Sequence, residues 1–435
     1  MDDHPIPLIV PRQEHPISRR FIDPDALKVL YRLQNHGFLA YLVGGGVRDL
    51  LLGKTPKDFD VVTDAHPQQV RELFRNSRQI GARFRLAHVY FHGGKFIEVS
   101  TFRRRSEFEE GDNGDFPQSE NTFGTPAEDA FRRDITINGI FYNIADFSLV
   151  DYVGGIKDLR TGIIRCIGDP EEKFVQDPVR MIRVIRHAAR TGFGIEEKTY
   201  RSLIDHVEKV RLCSPARLRE EFLRELREGS AKESMSLMLA TGMLFALFPP
   251  FQRPLEEAGK REYFLQIAGA LDGLGISGNS LGEGFYLALF LLPLLDFCCP
   301  ADDLPPGRKG QTPFQQKVRS WVLEVLGPLQ FPRYAKDGAA HLLGSQRIFR
   351  DFLPLGKLPL RFLRMPYFMK ARHLFEIGAR ARGEDPEKFS WQAEERRSLR
   401  RRRNRRHRRK KSEAHSPGQK AGPSEKENPS PSPNP

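Results

Sequence analysis

The sequence predicts an α+β protein in which a head with a small mixed sheet precedes an all-α neck and body and a disordered basic tail. Residues 21–148 mix short β-rich runs with helical stretches, whereas residues 149–390 are mostly helical. Such segregation of β-rich and helical stretches is typical of α+β proteins. The predicted units are an N-terminal arm (1–20), the head (21–148), the neck (149–250), the body (251–390) and the tail (391–435).

Composition narrows the class of protein. The chain has 435 residues, which is room for about two to four domains. The longest apolar stretch, 285–299, contains a proline and is shorter than the roughly 18 residues that a membrane span needs, so it predicts buried helices. The first 20 residues lack the basic and apolar regions of a secretion signal. Four cysteines without a CxxC or metal-ligand spacing favour a reducing, cytoplasmic location.

The positive charge is concentrated near the C-terminus. Of the 16 residues from 396 to 411, 12 are arginine or lysine, which accounts for nearly all of the net charge of +13. A segment of this composition cannot bury a core, so the tail is predicted to be disordered. Its charge favours binding to nucleic-acid phosphates. A solvated charge run without a dedicated partner is the alternative.

The first elements of the head follow from their end signals. A helix is predicted to begin after Asp23, which is a favourable N-cap, and to end before Gly37. The apolar run 38–44 predicts a strand. The runs 85–91 and 95–102 are joined by His-Gly-Gly and predict a hairpin.

Three consecutive glycines follow the first strand. Gly44, Gly45 and Gly46 stand just before a short predicted helix that contains Arg48. Glycines at this place let backbone N–H groups approach an anion such as a triphosphate, and Arg48 would add a charged contact. The spacing matches neither the P-loop nor the dinucleotide-binding fingerprint, so a tight structural turn is the alternative.

Two aspartates lie two residues apart in the next predicted strand. Asp58 and Asp60 would point to the same face, because strand side chains alternate. Neighbouring carboxylates repel each other, and a divalent cation is their simplest stabiliser. Oxygen ligands favour Mg²⁺, which binds through one or two carboxylates together with substrate phosphates.

Two further acidic residues are candidates for the same site. Glu98 alternates with apolar neighbours in its predicted strand and therefore faces away from the core. Asp134 follows Arg132 and Arg133 on a predicted helix with a capping box at Thr125. For Asp134 and its two arginines, ordinary surface charge is the alternative.

Five motifs occur in a fixed order along the chain. They are LVGGGVRDLLLG (42–53), DFDVVT (58–63), EVSTFRRR (98–105), AFRRDITING (130–139) and DPVRMIRVIRHAAR (177–190). The set resembles the class II nucleotidyltransferases of the polymerase-β superfamily, which are the CCA-adding enzymes and the bacterial poly(A) polymerases. The resemblance covers about residues 12–250 and implies a polymerase-β-type head.

The resemblance implies roles for the residues of the glycine turn and the aspartate pair. It implies that Gly44, Gly45 and Arg48 hold the triphosphate of the incoming nucleotide. It implies that Asp58 and Asp60 are catalytic and bind Mg²⁺.

Two more motifs of the resemblance carry candidate site residues. Asp134 matches the third active-site aspartate of the poly(A) polymerases, and Arg133 matches a nucleotide-contacting arginine. Glu98 matches a strand carboxylate beside the site, for which no direct role is assigned.

The last motif resembles the helix with which the family reads the incoming base. Asp177, Arg180 and Arg183 are the implied nucleotide-binding residues there. The usual acid before the aspartate is replaced by Gln176, which puts in doubt any role that needs a charge at that position.

One stretch separates the two branches of the family. QIGARFRLAHVYF (79–91) resembles the signature of bacterial poly(A) polymerases, and residues 216–249 and the basic tail also resemble that branch. The resemblance implies template-independent addition of AMP from ATP to RNA 3′ ends, in mRNA processing and decay. A CCA-adding tRNA nucleotidyltransferase is the first alternative, and a non-catalytic RNA-binding protein of the same fold is the second.

Overall fold

The head is built on one mixed β-sheet. The computed structural model describes residues 6–80, 86–104, 123–274, 281–300, 304–305, 307–354 and 358–386. Within these residues the sheet has eight strands in the order β1-β8-β7-β2-β3-β6-β5-β4. Its strands are β1 (Leu8–Val10), β2 (Ala40–Val43), β3 (Asp60–Thr63), β4 (Ser77–Ile80), β5 (Leu86–Tyr90), β6 (Phe96–Thr101), β7 (Ile140–Asn143) and β8 (Leu149–Asp151). Only β3 and β6 pair in parallel among the pairs of this sheet.

The sheet extends beyond the head that the sequence predicts. Strand β1 comes from the predicted arm and pairs with β8, with Leu8 opposite Asp151. Strand β8 itself lies beyond residue 148. The sequence reasoning missed both strands because three residues are too few to show a period, and only pairing with neighbours makes them strands.

Helices cover the two faces of the sheet. The helices of the head and its junction with the neck are α1 (Pro24–Asn35), α2 (Gly45–Leu51), α3 (Pro67–Leu73), α4 (Pro126–Phe131) and α5 (Gly155–Thr161). Helix α1 begins as predicted, because Asp23 Oδ1 accepts a hydrogen bond of 2.8 Å from the backbone N–H of Asp25. Helices α1 and α3 pack on one face, and α4 packs on the other.

The predicted hairpin is confirmed. Strands β5 and β6 pair in antiparallel fashion, with Tyr90 opposite Phe96. The connection contains Gly93 and Gly94, both with positive φ, as the turn requires.

The rest of the described residues are mostly helical. Its helices are α6 (Pro170–Gln176), α7 (Val179–Thr191), α8 (Glu197–His206), α9 (Pro215–Arg227), α10 (Ala231–Ala240), α11 (Met243–Leu247), α12 (Gln252–Glu256), α13 (Lys260–Leu274), α14 (Glu283–Leu291), α15 (Leu295–Cys298), α16 (Arg308–Leu326), α17 (Arg333–Gly344), α18 (Gln346–Phe352), α19 (Leu360–Leu363) and α20 (Phe368–Ala381). A small two-stranded pair, β9 (Ile163–Ile164) and β10 (Gly194–Ile195), joins them.

One apolar core runs through the predicted neck and body. It begins at Ile135, continues across residue 250 and reaches Ile377. The apolar stretch 285–299 lies within this core as α14 and α15, as expected. Among the described residues, no helix is both long and apolar enough to cross a membrane. The predicted α+β architecture, a mixed-sheet head followed by a mostly helical body, is therefore confirmed.

Candidate active site

The three glycines allow close contact between two loops of the head. Strand β2 ends at Val43, and Gly44 follows with φ of +76°, a conformation that favours glycine. A Cβ atom at Gly44 would lie 3.4 Å from Asp60 Oδ2, and one at Gly46 would lie 3.1 Å from the carbonyl oxygen of Asp58. The glycine turn therefore lies directly against the segment that carries both aspartates.

The aspartate pair differs in one respect from its prediction. Strand β3 begins at Asp60, so Asp58 lies in the preceding loop and not in the strand. Asp58 is exposed, whereas Asp60 is partly buried. Asp60 pairs with Val43 of β2 on one side and with Glu98 of β6 on the other.

The negative charge at this place is poorly compensated. The pKa of Asp60 is raised to about 6, chiefly by burial and also by the neighbouring charges of Glu98 and Asp58, against the opposing charge of Arg133. We call Asp58, Asp60 and Glu98 the acidic corner. Burial and the neighbouring carboxylates disfavour the ionised form of Asp60. A bound cation would stabilise that form, so the arrangement fits a cation site.

Glu98 lies on the strand face that the sequence predicted. Its neighbours Ile97 and Val99 are buried, and Glu98 is half-exposed. Its Oε2 lies 3.4 Å from His88 Nε2. Among the described residues, no group of three or more His, Cys, Asp or Glu side chains is placed to hold one metal ion. A cation here would therefore take ligands from the aspartate pair and complete its shell with substrate phosphates.

Asp134 lies elsewhere than its prediction suggests. Helix α4 has the predicted capping box but ends at Phe131, so Asp134 follows the helix and is not part of it. Its carboxylate is clamped by Arg180 Nη1 at 3.0 Å and by Arg183 Nη2 at 2.9 Å. The acid beside the aspartate pair is thus Glu98, and a catalytic role for Asp134 stays a prediction.

Arg133 lies between the acidic corner and α4. Its Nη1 would be 3.8 Å from a Cβ atom at Gly44, and its charge acts on Asp60. Its Nη2 is 2.8 Å from Asp129 Oδ2. Burial alone would raise the pKa of Asp129, yet Arg133 and Arg132 hold it below its ordinary value. Arg133 is therefore held in place as a cation beside the glycine turn.

The predicted base-reading residues form one cluster. Arg180 donates to the carbonyl oxygens of Arg132 and Arg133 at 3.4 and 3.3 Å, in addition to its ion pair with Asp134. Asp177 lies between α6 and α7, and its Oδ2 accepts from Arg217 Nη2 at 2.9 Å. Arg183 is more exposed than Arg180, with 39% against 15% of the side chain accessible. Asp177, Arg180 and Arg183 thus lie on the helix side of the same site.

Arg48 is fully buried in a network that sequence reasoning missed. Its Nε and Nη2 donate to Asp49 Oδ1 at 2.9 and 2.7 Å, and its Nη1 donates to Asn138 Oδ1 at 2.9 Å and to His187 Nδ1 at 3.2 Å. Arg190 of α7 reaches Asp49 Oδ2 at 2.8 Å. We call these five residues the buried cluster.

The buried cluster joins the glycine turn to helix α7. A Cβ atom at Gly45 would lie 3.4 Å from Arg48 Nη2, so the guanidinium supports the turn from beneath. Burial, followed by the charge of Arg48, lowers the pKa of His187 well below its ordinary value, and the imidazole is neutral. No sequence pattern pointed to Asn138 or His187, because they are 49 residues apart and meet only in the fold. A phosphate contact of Arg48 stays a prediction.

Two family models and a solved structure show which known proteins the chain resembles. Residues 40–165 match the family model described as the Poly A polymerase head domain. Residues 192–253 match the model described as a probable RNA and SrmB-binding site of polymerase A. A solved structure of the Bacillus stearothermophilus CCA-adding enzyme in complex with CTP aligns with a TM-score of 0.60 and 24% identity, covering 87% of this chain and 83% of that one. The fold is thus like that of this CCA-adding enzyme.

Curated relatives refine the class. Poly(A) polymerase I of Escherichia coli O6:H1 is 49% identical over 259 residues, which cover 58% of this chain and 55% of the relative. Poly(A) polymerase I of Salmonella typhi is 48% identical over 299 residues, covering 66% and 64%. A CCA-adding enzyme of Lactobacillus helveticus is 37% identical over 245 residues, covering 56% and 57%. The chain is thus similar to the poly(A) polymerases and the CCA-adding enzymes, and it spans somewhat more than half the length of these relatives.

Proposed function

We propose that the protein is a polynucleotide adenylyltransferase, which adds AMP from ATP to RNA 3′ ends without a template. The observation that carries the proposal is the acidic corner, where under-compensated carboxylates lie against a glycine turn and a fixed arginine. A nucleoside triphosphate brings both the phosphates and the cation that such a corner lacks. The higher identity to poly(A) polymerase I than to the CCA-adding enzymes favours adenylate addition.

The proposed reaction is an in-line displacement. The 3′-hydroxyl of the RNA attacks the α-phosphate of ATP, the bond between the α-phosphate and pyrophosphate breaks, and pyrophosphate leaves. Mg²⁺, held by Asp58 and Asp60, would activate the hydroxyl and neutralise the leaving oxygens. Arg133 and the N–H groups of the glycine turn bind the triphosphate, because both present positive charge beside Asp60.

Base selection is assigned to the helix side of the site. Arg183 is the more accessible of the two arginines that clamp Asp134, and it can donate to an adenine without losing its place in α7. Arg180 binds the same carboxylate, Asp134, as Arg183 does, and so helps to orient Arg183. Asp177 in turn contacts Arg180. Asp134 therefore acts in this proposal by holding the base-reading arginines.

The proposal is tested by offering each nucleotide with two RNAs. Purified protein with Mg²⁺ is incubated with one labelled nucleotide at a time and either a generic oligomer or a tRNA that lacks its CCA end. Long adenylate tails on the oligomer are the expected result. Addition limited to C, C and A on the tRNA would instead support the CCA-adding alternative, which the 37% identical relative favours. No incorporation on either RNA would leave a non-catalytic RNA-binding protein.

The basic tail is proposed to add affinity for RNA phosphates and to offer a docking segment for RNA-decay proteins. Residues 387–435 lie outside the described residues, so this proposal depends on the sequence alone. Deleting residues 396–435 should raise KM for RNA and reduce the salt dependence of binding, by roughly 0.7 in the log–log slope for each lost phosphate contact. Equal slopes for both proteins would assign the tail to another role.

Location in the cytoplasm is also a proposal. All four cysteines are free thiols, and burial raises the pKa of each of them. Protonated thiols that form no disulfide suit a reducing compartment.

A further inference from the structure

A row of ionisable side chains crosses four strands beside the acidic corner. In register, Asp60 of β3 pairs with Glu98 of β6, Glu98 pairs with His88 of β5, and His88 pairs with Arg78 of β4. Side chains in register point to the same face of a sheet. The row therefore continues from two carboxylates through an imidazole to a guanidinium.

Aromatic rings lie next to this row on the same face. Phe96, two residues before Glu98, is 47% exposed. The His88 ring stacks on it in parallel, with centroids 4.1 Å apart and an interplanar angle of 11°. Tyr90 lies 6.0 Å from Phe96, and the Arg78 guanidinium lies 5.7 Å from the Tyr90 ring centroid. Exposed rings with a cation beside them are the combination that binds single-stranded nucleic acid.

The distance between Phe96 and Asp60 matches the distance from the ribose of a nucleotide to its base. Neighbouring strands lie about 4.8 Å apart and residues along a strand about 3.3 Å apart, so the Cα atoms of Asp60 and Phe96 are separated by roughly 8 Å. The parallel register of β3 and β6, continued backwards by two residues, brings Phe96 level with Asp58. A ribose at the acidic corner would thus place its own base over Phe96.

The sheet order assigns the two substrates to opposite sides. Asp60 lies between the glycine turn after β2 and the aromatic surface on β6 and β5. The triphosphate occupies the glycine side in the proposed function, and in-line attack requires the hydroxyl to approach from the far side of the α-phosphate. The aromatic surface is on that far side.

We propose that Phe96, backed by His88, is the stacking platform for the 3′-terminal base of the RNA substrate. Tyr90 and Arg78 then receive the preceding nucleotide, with Arg78 facing its phosphate, because the carboxylates at the other end of the row repel phosphates. This inference rests on the proposed function, since it names the site of the second substrate. Stacking reads no base edge, so the platform accepts any terminal base.

A purely structural role is the competing explanation. Cross-strand aromatic pairs stabilise sheets without binding anything. The two explanations differ in what happens when the terminal base itself is removed from the RNA, because a structural role does not sense that base.

The test combines a protein change with an RNA change. The full-length protein, Phe96→Ala, Phe96→Leu and the control Phe21→Ala are each given an oligoadenylate with either a normal or an abasic 3′-terminal nucleotide. Phe21 is an equally exposed phenylalanine of the head, at 56%. Phe96→Leu keeps an apolar side chain at the position and so protects the fold while removing the ring.

The effects of the RNA change and the protein change on KM for RNA should not be additive. Either the abasic RNA or a Phe96 variant alone should raise KM for RNA roughly tenfold, as loss of one base–aromatic stack does, with KM for ATP unchanged. The two changes together should cost no more than one, and Phe21→Ala should have no effect. An abasic penalty of equal size in the unmodified protein and in both Phe96 variants would overturn the proposal.

The same comparison separates this inference from the proposed function. Fluorescence anisotropy with 5′-labelled oligoadenylate, in the absence of nucleotide, measures the abasic penalty even in a protein that incorporates nothing. A penalty that vanishes in Phe96→Leu supports the platform regardless of the enzymatic outcome. Efficient AMP incorporation with no such penalty in binding or KM would reject the platform and leave the adenylyltransferase intact.

Discussion

The acidic corner and the buried cluster use the same residue types for opposite purposes. In the buried cluster, Asp49 accepts from Arg48 and Arg190, so its charge is fully matched by protein. In the acidic corner, Asp60 has two acidic neighbours and one arginine, and its pKa rises to about 6. The first arrangement stabilises a junction, and the second costs stability until a ligand supplies the missing positive charge.

This difference shows how a carboxylate that serves structure is told from one that serves binding. By sequence, Asp134 resembles a catalytic residue. Its charge is nevertheless matched by two arginines, as the charge of Asp49 is in the buried cluster. Glu98 lacks an arginine partner among the described ion pairs, in which His88 is its contact. The balance of charge therefore favours a structural role for Asp134 and a binding role for Glu98, whereas the sequence motifs favour a catalytic role for Asp134.

Removing one charge from the acidic corner should have the largest effect on activity. Asp60→Asn should abolish nucleotide incorporation, because the cation loses a ligand. The thermal midpoint should stay unchanged or rise, because the substitution removes repulsion from Glu98 and Asp58. Incorporation assays and thermal unfolding measure both. Asp64→Asn is the matched control, since Asp64 is exposed just after β3 and accepts only from the Leu39 N–H among its described contacts. Incorporation by Asp60→Asn at the control's rate would remove Asp60 from the metal site.

Removing one charge from the buried cluster should have the largest effect on stability. Asp49→Asn removes the counter-ion of Arg48 and leaves Arg190 only its longer contact with Glu228, which should lower the free energy of unfolding by about 3–5 kcal/mol. Glu197→Gln, in an exposed ion pair with Arg201, should cost less than about 1 kcal/mol. Urea unfolding of both variants gives the comparison. Equal losses would mean that burial of the cluster does not decide its energy.

Substitutions of the two arginines that bind Asp134 should distinguish base selection from structural stabilisation. Arg183→Ala should shift the ATP/CTP preference by roughly tenfold, the discrimination expected of a lost base contact, without changing stability. Arg180→Ala should shift the preference too, and should also lower stability, because Arg180 holds the carbonyl groups of Arg132 and Arg133. Competition between the two nucleotides and urea unfolding measure these effects. An unchanged ratio in both variants would move base selection off α7.

The smallest expected effect concerns a third kind of buried acid, Glu225 of α9. Burial raises the pKa of Glu225 from 4.5 to about 8, despite the nearby Arg186 and a hydrogen bond from Ser234. The folded state therefore favours the protonated form, and stability should fall as the pH rises from about 5 through about 8.

Glu225→Gln should flatten this pH dependence, because glutamine cannot ionise. Urea midpoints near pH 6 and near pH 9 should then differ less for the variant than for the unmodified protein. Glu228→Gln, close to the same arginine but more exposed, is the control. A difference of the same size in Glu225→Gln would show that Glu225 is already ionised in the fold.

Local patterns account for much of what could be predicted from the sequence. The capping residues Asp23 and Thr125, the hairpin between β5 and β6 and the glycine turn all depend on neighbours within a few residues. The candidate residues of the site follow from motifs that are equally short. Among the strands that escaped prediction were the edge strand β1 and its neighbour β8, which pair with each other across about 140 residues.

By itself, the sequence determined the fold class, the glycine turn and the candidate acidic residues of the proposed nucleotide site, because each is encoded in a local run of side chains. The tertiary structure decided which acids share a site: parallel pairing of β3 with β6 brings Glu98 to Asp60, while α7 takes Asp134 into its own ion pairs. It also decided that Arg48, Asn138 and His187 meet. The physical reason is that electrostatic energy depends on distance and burial, and neither is set until distant segments pack together.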